Sequence, residues 1–112
     1  MLLYHVTPSE NFPGIIEHGL EPRIGPRAAA FGEPRPATYY FLERAELYHA
    51  LLGWLGEVLP MDYHVLVVNV ADELVETIEG ETDWEARTYT VIPPKAIIEH
   101  LSSAWLTDDW FI

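Results

Sequence analysis

Short apolar runs alternate with turn-forming clusters along this chain, and the spacing of the apolar positions changes from run to run. Leu2 to Val6 is apolar apart from His5 and reads as a strand. Thr7-Pro8-Ser9-Glu10 has the form of a capping box with proline at the first helical position. Asn11 is a rival cap, since Pro13 would then occupy the first turn, where its missing N–H costs nothing. From either start Phe12, Ile15 and Ile16 make the buried face of a helix, and Gly19 ends it in a left-handed cap. Residues 21–37 hold four prolines and two glycines and predict a loop. A loop of that length in a small domain is usually functional or mobile. Thr38-Tyr39-Tyr40-Phe41-Leu42 is a second strand. Leu47, Leu51, Leu52 and Leu55, with Tyr48 and Trp54, carry a helical period across 43–56, closed by Gly56. His64 to Val70 is the strongest strand, apolar enough to be central in its sheet. Thr88 to Ile92 alternates and stops at Pro93-Pro94. Ala96 to Trp105 fits either a last strand or a helix. Together these elements predict an α+β domain, a small and mostly antiparallel β-sheet with two α-helices against it.

Composition narrows the class. The 112 residues suit one domain, and 49% apolar content supports a packed core rather than disorder. The absence of cysteine removes disulfides, thiolate catalysis and Cys-ligated zinc together. The first residues lack the form of a signal peptide, and no run approaches the ~18 apolar residues of a membrane span. A soluble, cytoplasmic domain is the expectation. His18, His49, His64 and His100 are scattered without zinc-ligand spacing, and the Asp72–Glu85 acids lack the spacing of a calcium loop, so no metal is expected. No Ser-His-Asp set or Gly-rich phosphate loop is present. Asp108-Asp109 lies among Trp105, Trp110 and Phe111, and an aromatic terminus of this kind most often packs back onto its own sheet.

Charge adds a second signal. Six basic against 18 acidic residues give −12. Residues 1–45 are nearly neutral at −1, whereas residues 46–112 set Arg87 and Lys95 against thirteen acids. Asp72, Glu73, Glu76, Glu79, Glu81, Asp83 and Glu85 fall in a stretch with no base among them. Such a field repels nucleic acid and anionic membrane and attracts a basic protein partner, although an acidic surface also aids solubility alone.

Candidate chemistry rests on the order of several short motifs. Leu3-Tyr4-His5-Val6-Thr7 opens the chain, Gly19-Leu20 closes the first helix, Tyr39-Tyr40-Phe41-Leu42 precedes the second, and Ile92-Pro93-Pro94-Lys95-Ala96-Ile97 follows. In that succession, over about residues 2–98, the chain resembles the ADP-ribosyltransferase fold in its His-Tyr-Glu branch, and particularly small phage and bacterial members. The resemblance implies transfer of ADP-ribose from NAD to a macromolecular acceptor. It implies that His5, with Thr7 beside it, bonds the ribose next to the nicotinamide, and that Tyr40 or Tyr39 stacks on the nicotinamide ring. Only one of the two tyrosines can face the cleft, because strand side chains alternate faces. It further implies that Glu85 orients the ribose hydroxyl and stabilises an oxocarbenium-like transition state. Arg23 or Arg27 would then pair with the pyrophosphate, for which a guanidinium fork is suited. Taken singly, His5 reads equally as a half-buried strand histidine, and one tyrosine as core packing.

A second class of function stays open. The acidic half could mimic nucleic-acid phosphates and occupy a basic DNA- or RNA-binding partner without catalysis, as phage anti-defence and anti-CRISPR proteins of this size do. That reading predicts one carboxylate face built from residues 57–62, 72–85 and 108–109. The enzyme reading predicts that His5, Tyr40 and Glu85 converge on one cleft with an arginine at its mouth.

Overall fold

Strands β1 (Leu2–Pro8), β2 (Thr38–Phe41), β3 (Tyr63–Asn69), β4 (Glu76–Ile78), β5 (Thr82–Thr88) and β6 (Ile97–Ser102) form one sheet in the order β4-β5-β2-β1-β3-β6. The computed structural model describes residues 1–23, 36–78 and 82–111, the side chains of 78 and 82–84 excepted. Every strand pairing among these residues is antiparallel. Among the described residues three α-helices accompany the sheet, α1 (Phe12–His18), α2 (Arg44–Leu52) and α3 (Trp54–Val58). An α+β architecture follows, with the one helix expected over residues 43–56 divided into α2 and α3.

The sheet has a core on each face, and the alternation of side chains decides which residue enters which. Leu3, Tyr40, Leu66, Val68 and Ala86 meet Leu20 and Ile92 on one face, where Phe12 and Ile15 of α1 cover them. Phe41 and Val65 meet Leu47 and Ala50 of α2 on the other, with Tyr4, Val6, Leu55, Trp110 and Phe111 packed around. Val65 to Val68 are all buried, the pattern of a strand covered on both sides. β1 is paired with β3 along its whole length, from Leu2 opposite Asn69 to Pro8 opposite Tyr63. It meets β2 only at Tyr4 opposite Phe41. The sheet is therefore forked between β1 and β2, and the fork places the site described below.

Several elements differ from the sequence expectation. No side chain caps α1; Ser9 Oγ instead lies 2.8 Å from His64 Nδ1, and a 3-10 turn over Ser9–Asn11 precedes the helix. Pro13 does occupy the first turn. Gly19 has φ +84° with ψ −172°, outside the left-handed helical region expected of the cap, and a Cβ there would clash with the Ile92 carbonyl oxygen, so glycine is required both by conformation and by space. The helical period over 43–56 breaks at Gly53, whose φ −117° and ψ −123° are not helical. Gly56 lies inside α3 rather than closing the helix. A Cβ on it would meet the Leu51 carbonyl oxygen, so it permits α3 to fold back against the end of α2. The strand expected at 88–92 is instead β5 at Thr82–Thr88, with Ile92 making only an isolated bridge to Leu20. Charged residues in β5 conceal it, since it pairs with the edge strand β4 on one side. The ambiguous segment 96–105 contains strand β6.

Trp110 and Phe111 of the aromatic terminus pack back as expected, whereas Trp105 stays exposed. Arg44 lies 4.3 Å from the Trp110 ring centroid and donates to the Trp110 carbonyl at 3.0 Å, while Trp110 Nε1 donates to Glu99 at 2.9 Å. No helix among the described residues is long and apolar enough to cross a membrane.

Candidate functional site

Where β1 and β2 part, a cleft of about 540 Å³ opens, within the size range of small-molecule sites. Its lining includes His5 and Thr7 from β1, Thr38, Tyr39 and Tyr40 from β2, Glu85 from β5 and Arg23 from the loop. Six of the residues singled out from the sequence thus meet at one place. Arg27, Glu79 and Glu81 lie outside the described residues, as does the side chain of Asp83.

His5 cannot complete a ladder with the diverging β2, and its side chain bridges the gap. Its Nδ1 lies 2.8 Å from the Tyr39 carbonyl oxygen. A carbonyl only accepts, so Nδ1 carries the proton. Burial pulls the His5 pKa below the ordinary 6.5, with the bond to Tyr39 opposing the shift. The ring is therefore neutral at pH 7, and its Nε2 is left as an acceptor. The Tyr40 ring lies on the same face, 5.7 Å from the imidazole and tilted by 58°. It is 2% exposed, which makes it floor rather than open platform. Its phenol bonds Thr88 Oγ1 at 3.0 Å. Burial raises its pKa, against the Thr88 hydrogen bond and the neighbouring Thr38 hydroxyl. Among the described residues Thr38 Oγ1 is the buried side-chain polar atom without a hydrogen-bond partner. Thr7, also buried, accepts from Asn11 Nδ2 at 3.5 Å.

Tyr40 is the tyrosine that shares the His5 face. Tyr39 alternates to the other side, opposite Arg87 in the β2–β5 register. Glu85 stands opposite Phe41, which belongs to the core on the α2 face. It therefore lines the cleft from the face opposite to His5 and Tyr40, alongside Trp54 and Leu55 of α3. The rim carries exposed Glu10, His18, Glu21 and Arg23. Arg23 is anchored by paired backbone bonds to Ala37 of 3.2 and 3.3 Å.

Sequence reasoning did not select Asn11, Thr38 or Trp54. Thr38 was visible as the residue two before Tyr40 on the same strand face. Trp54 was absorbed into an apolar helical period, and only the break at Gly53 turns it toward the cleft.

Among the described residues the acids are spread over the sheet. Asp62 and Asp72 flank opposite ends of the seven-residue β3, about 23 Å apart at strand rise. Asp72 pairs with the N-terminal ammonium at 3.2 Å, and Glu76 with Arg87 at 2.7 Å. Among the described residues no group of three or more histidines or carboxylates is placed to hold a metal ion. No protein-family model matches this chain, and no curated protein matches it.

Proposed function

We propose that this protein is a minimal ADP-ribosyltransferase-like protein that binds NAD in the forked cleft and transfers ADP-ribose to a macromolecular acceptor. The observation that carries the reading is the convergence of His5, Tyr40 and Glu85 on one cleft with Arg23 at its rim. In this reading Nε2 of neutral His5 accepts from a hydroxyl of the nicotinamide ribose, and Thr7 supplies a second polar contact. The nicotinamide packs on the floor beside Tyr40, and Arg23 pairs with the pyrophosphate. The N-glycosidic bond breaks with its electron pair leaving on nicotinamide. The acceptor nucleophile bonds the anomeric carbon and gives up its proton, while the Glu85 carboxylate stabilises the positive charge developing on the ribose. The mimic reading has weaker support, since the described acids lie at separate ends of the sheet and two of them are paired.

Calorimetry with NAD on wild type and His5→Ala, each checked for folding by circular dichroism, tests the first step. Saturable binding that the variant loses is expected, with transfer to added protein abolished in Glu85→Ala. An absence of heat at millimolar NAD would overturn the reading.

A further inference from the structure

The end of the molecule where α2 passes into α3 leaves large apolar side chains uncovered. Leu52 is 73% exposed, Trp54 48%, Val58 72% and Met61 94%. Trp54 and Val58 stand four residues apart on α3 and share its outer face, while Leu55 turns into the core. Trp105, 78% exposed, joins from the C-terminal side. Ser103, in the same turn, donates to the Met61 carbonyl at 3.2 Å and accepts from the Tyr63 amide at 3.2 Å. Isolated exposed apolar residues are ordinary, whereas a grouping of this kind marks a contact surface.

Charge identifies what would cover it. Residues 45–62 contain Glu46, Glu57 and Asp62 without a lysine or arginine, and residues 101–112 contain Asp108 and Asp109, again without one. Glu57, Asp62, Asp108 and Asp109 are exposed. A nucleic acid or an anionic bilayer would be repelled. A second copy would bring like carboxylates together. A cationic amphipathic protein segment satisfies both features, its apolar side against the tryptophans and its ammonium or guanidinium groups against the acids.

We propose that this face docks a Lys- or Arg-rich amphipathic segment of a partner protein. That the segment is also the acceptor rests on the transferase reading, and its place beside the cleft follows from Trp54, which lines both.

The test is an NMR titration of the isotope-labelled chain, without NAD, against an amphipathic helical peptide of leucine and lysine, with a leucine–glutamate peptide as control. The indole resonances of Trp54 and Trp105 are expected to shift with the cationic peptide, and the indole of Trp110, bonded to Glu99, to stay in place. Affinity should fall several-fold between about 50 and about 300 mM salt. The paired substitution Met61→Ser and Trp105→Ser should weaken docking about tenfold, as loss of interface anchors does, and leave NAD affinity unchanged. No shift at these indoles, an equal response to the anionic peptide, or shifts confined to Asp72–Glu76 would overturn the proposal. Self-association of the chain abolished by the same substitutions would overturn it in favour of a homodimer. NAD binding measured on the same sample separates the two ideas. Docking without NAD binding removes the acceptor role alone, and NAD binding without docking removes the docking face alone.

Discussion

Replacing Tyr40 with phenylalanine separates what the ring does from what the hydroxyl does. The phenol bonds Thr88 Oγ1 at 3.0 Å inside the sheet, and the Thr38 hydroxyl nearby already lacks a partner. Tyr40→Phe leaves the buried Thr88 hydroxyl unsatisfied as well, a cost of about 1–3 kcal/mol. Thr88→Val strands the phenol instead, with a similar cost. The double variant removes both ends, and its loss should be smaller than the sum of the singles by about 1 kcal/mol or more. Urea denaturation of the four proteins measures this cycle. Thermal midpoints should follow by roughly 4–8 °C per kcal/mol for a domain near this size. NAD affinity should change little in Tyr40→Phe, because the ring that forms the cleft floor is retained. Strict additivity, or a Tyr40→Phe protein as stable as wild type, would refute the assignment of this hydrogen bond.

Three further outcomes follow from other parts of the fold. Gly19→Ala places a Cβ against the Ile92 oxygen at φ +84° and should cost about 3 kcal/mol or more. Gly14→Ala, with nothing within 4 Å of its Cβ, should instead stabilise by about 0.5–1 kcal/mol, and paired urea curves compare the two. Trp110→Ala removes the bond to Glu99 and the Arg44 stacking contact, and a loss of about 2–4 kcal/mol is expected in the same assay, with Trp110→Phe recovering part. Burial holds His5 and His64 below the ordinary 6.5, so the unfolded chain takes up protons before the folded one does. Stability is then full above about pH 6.5 and lost as pH falls through that value toward the folded pKa values. Unfolding followed from about pH 7.5 to about pH 5.5 should show this slope, flattened in the double variant His5→Gln, His64→Gln.

The central strands were legible because their burial is written directly in their residues. Val65 to Val68 can only be a run covered on both faces, and Leu3 and Val6 on β1 flank it. The cleft residues on β1 and β2 were legible for a related reason, since a histidine and a tyrosine pair interrupt otherwise apolar runs. β5 was misplaced because its sequence, Thr82-Asp83-Trp84-Glu85-Ala86-Arg87-Thr88, shows strand alternation only at Ala86 and Thr88, where the inward face is small. The Arg87–Glu76 pair that fixes β4 beside it is a long-range contact, invisible to local periodicity. The split of the second helix turns on Gly53 and Gly56, and periodicity alone does not distinguish a glycine that ends a helix from one that lets two helices touch. The fork between β1 and β2, which creates the cleft, depends on register and has no local signature.

The fork also imposes a direction on the proposed reaction. His5, Thr7 and Tyr40 approach from the α1 face, and Glu85, Trp54 and Leu55 from the α2–α3 face. Neutral His5 spends its proton inward on Tyr39, so toward a ligand it can only accept, and it selects a hydroxyl rather than a phosphate oxygen. A phosphate must therefore be held elsewhere, and Arg23 is the arginine that the described lining offers for it at the rim. In the proposed reaction, with the sugar at the floor and the pyrophosphate toward the loop, the anomeric carbon would face Glu85. An acceptor would then approach from the α3 side, the same side as the apolar and acidic face around Trp54. The carboxylate that would stabilise the developing cation and the surface that would present the nucleophile thus lie on one side of the sheet. The groups that would grip the ribose lie on the other.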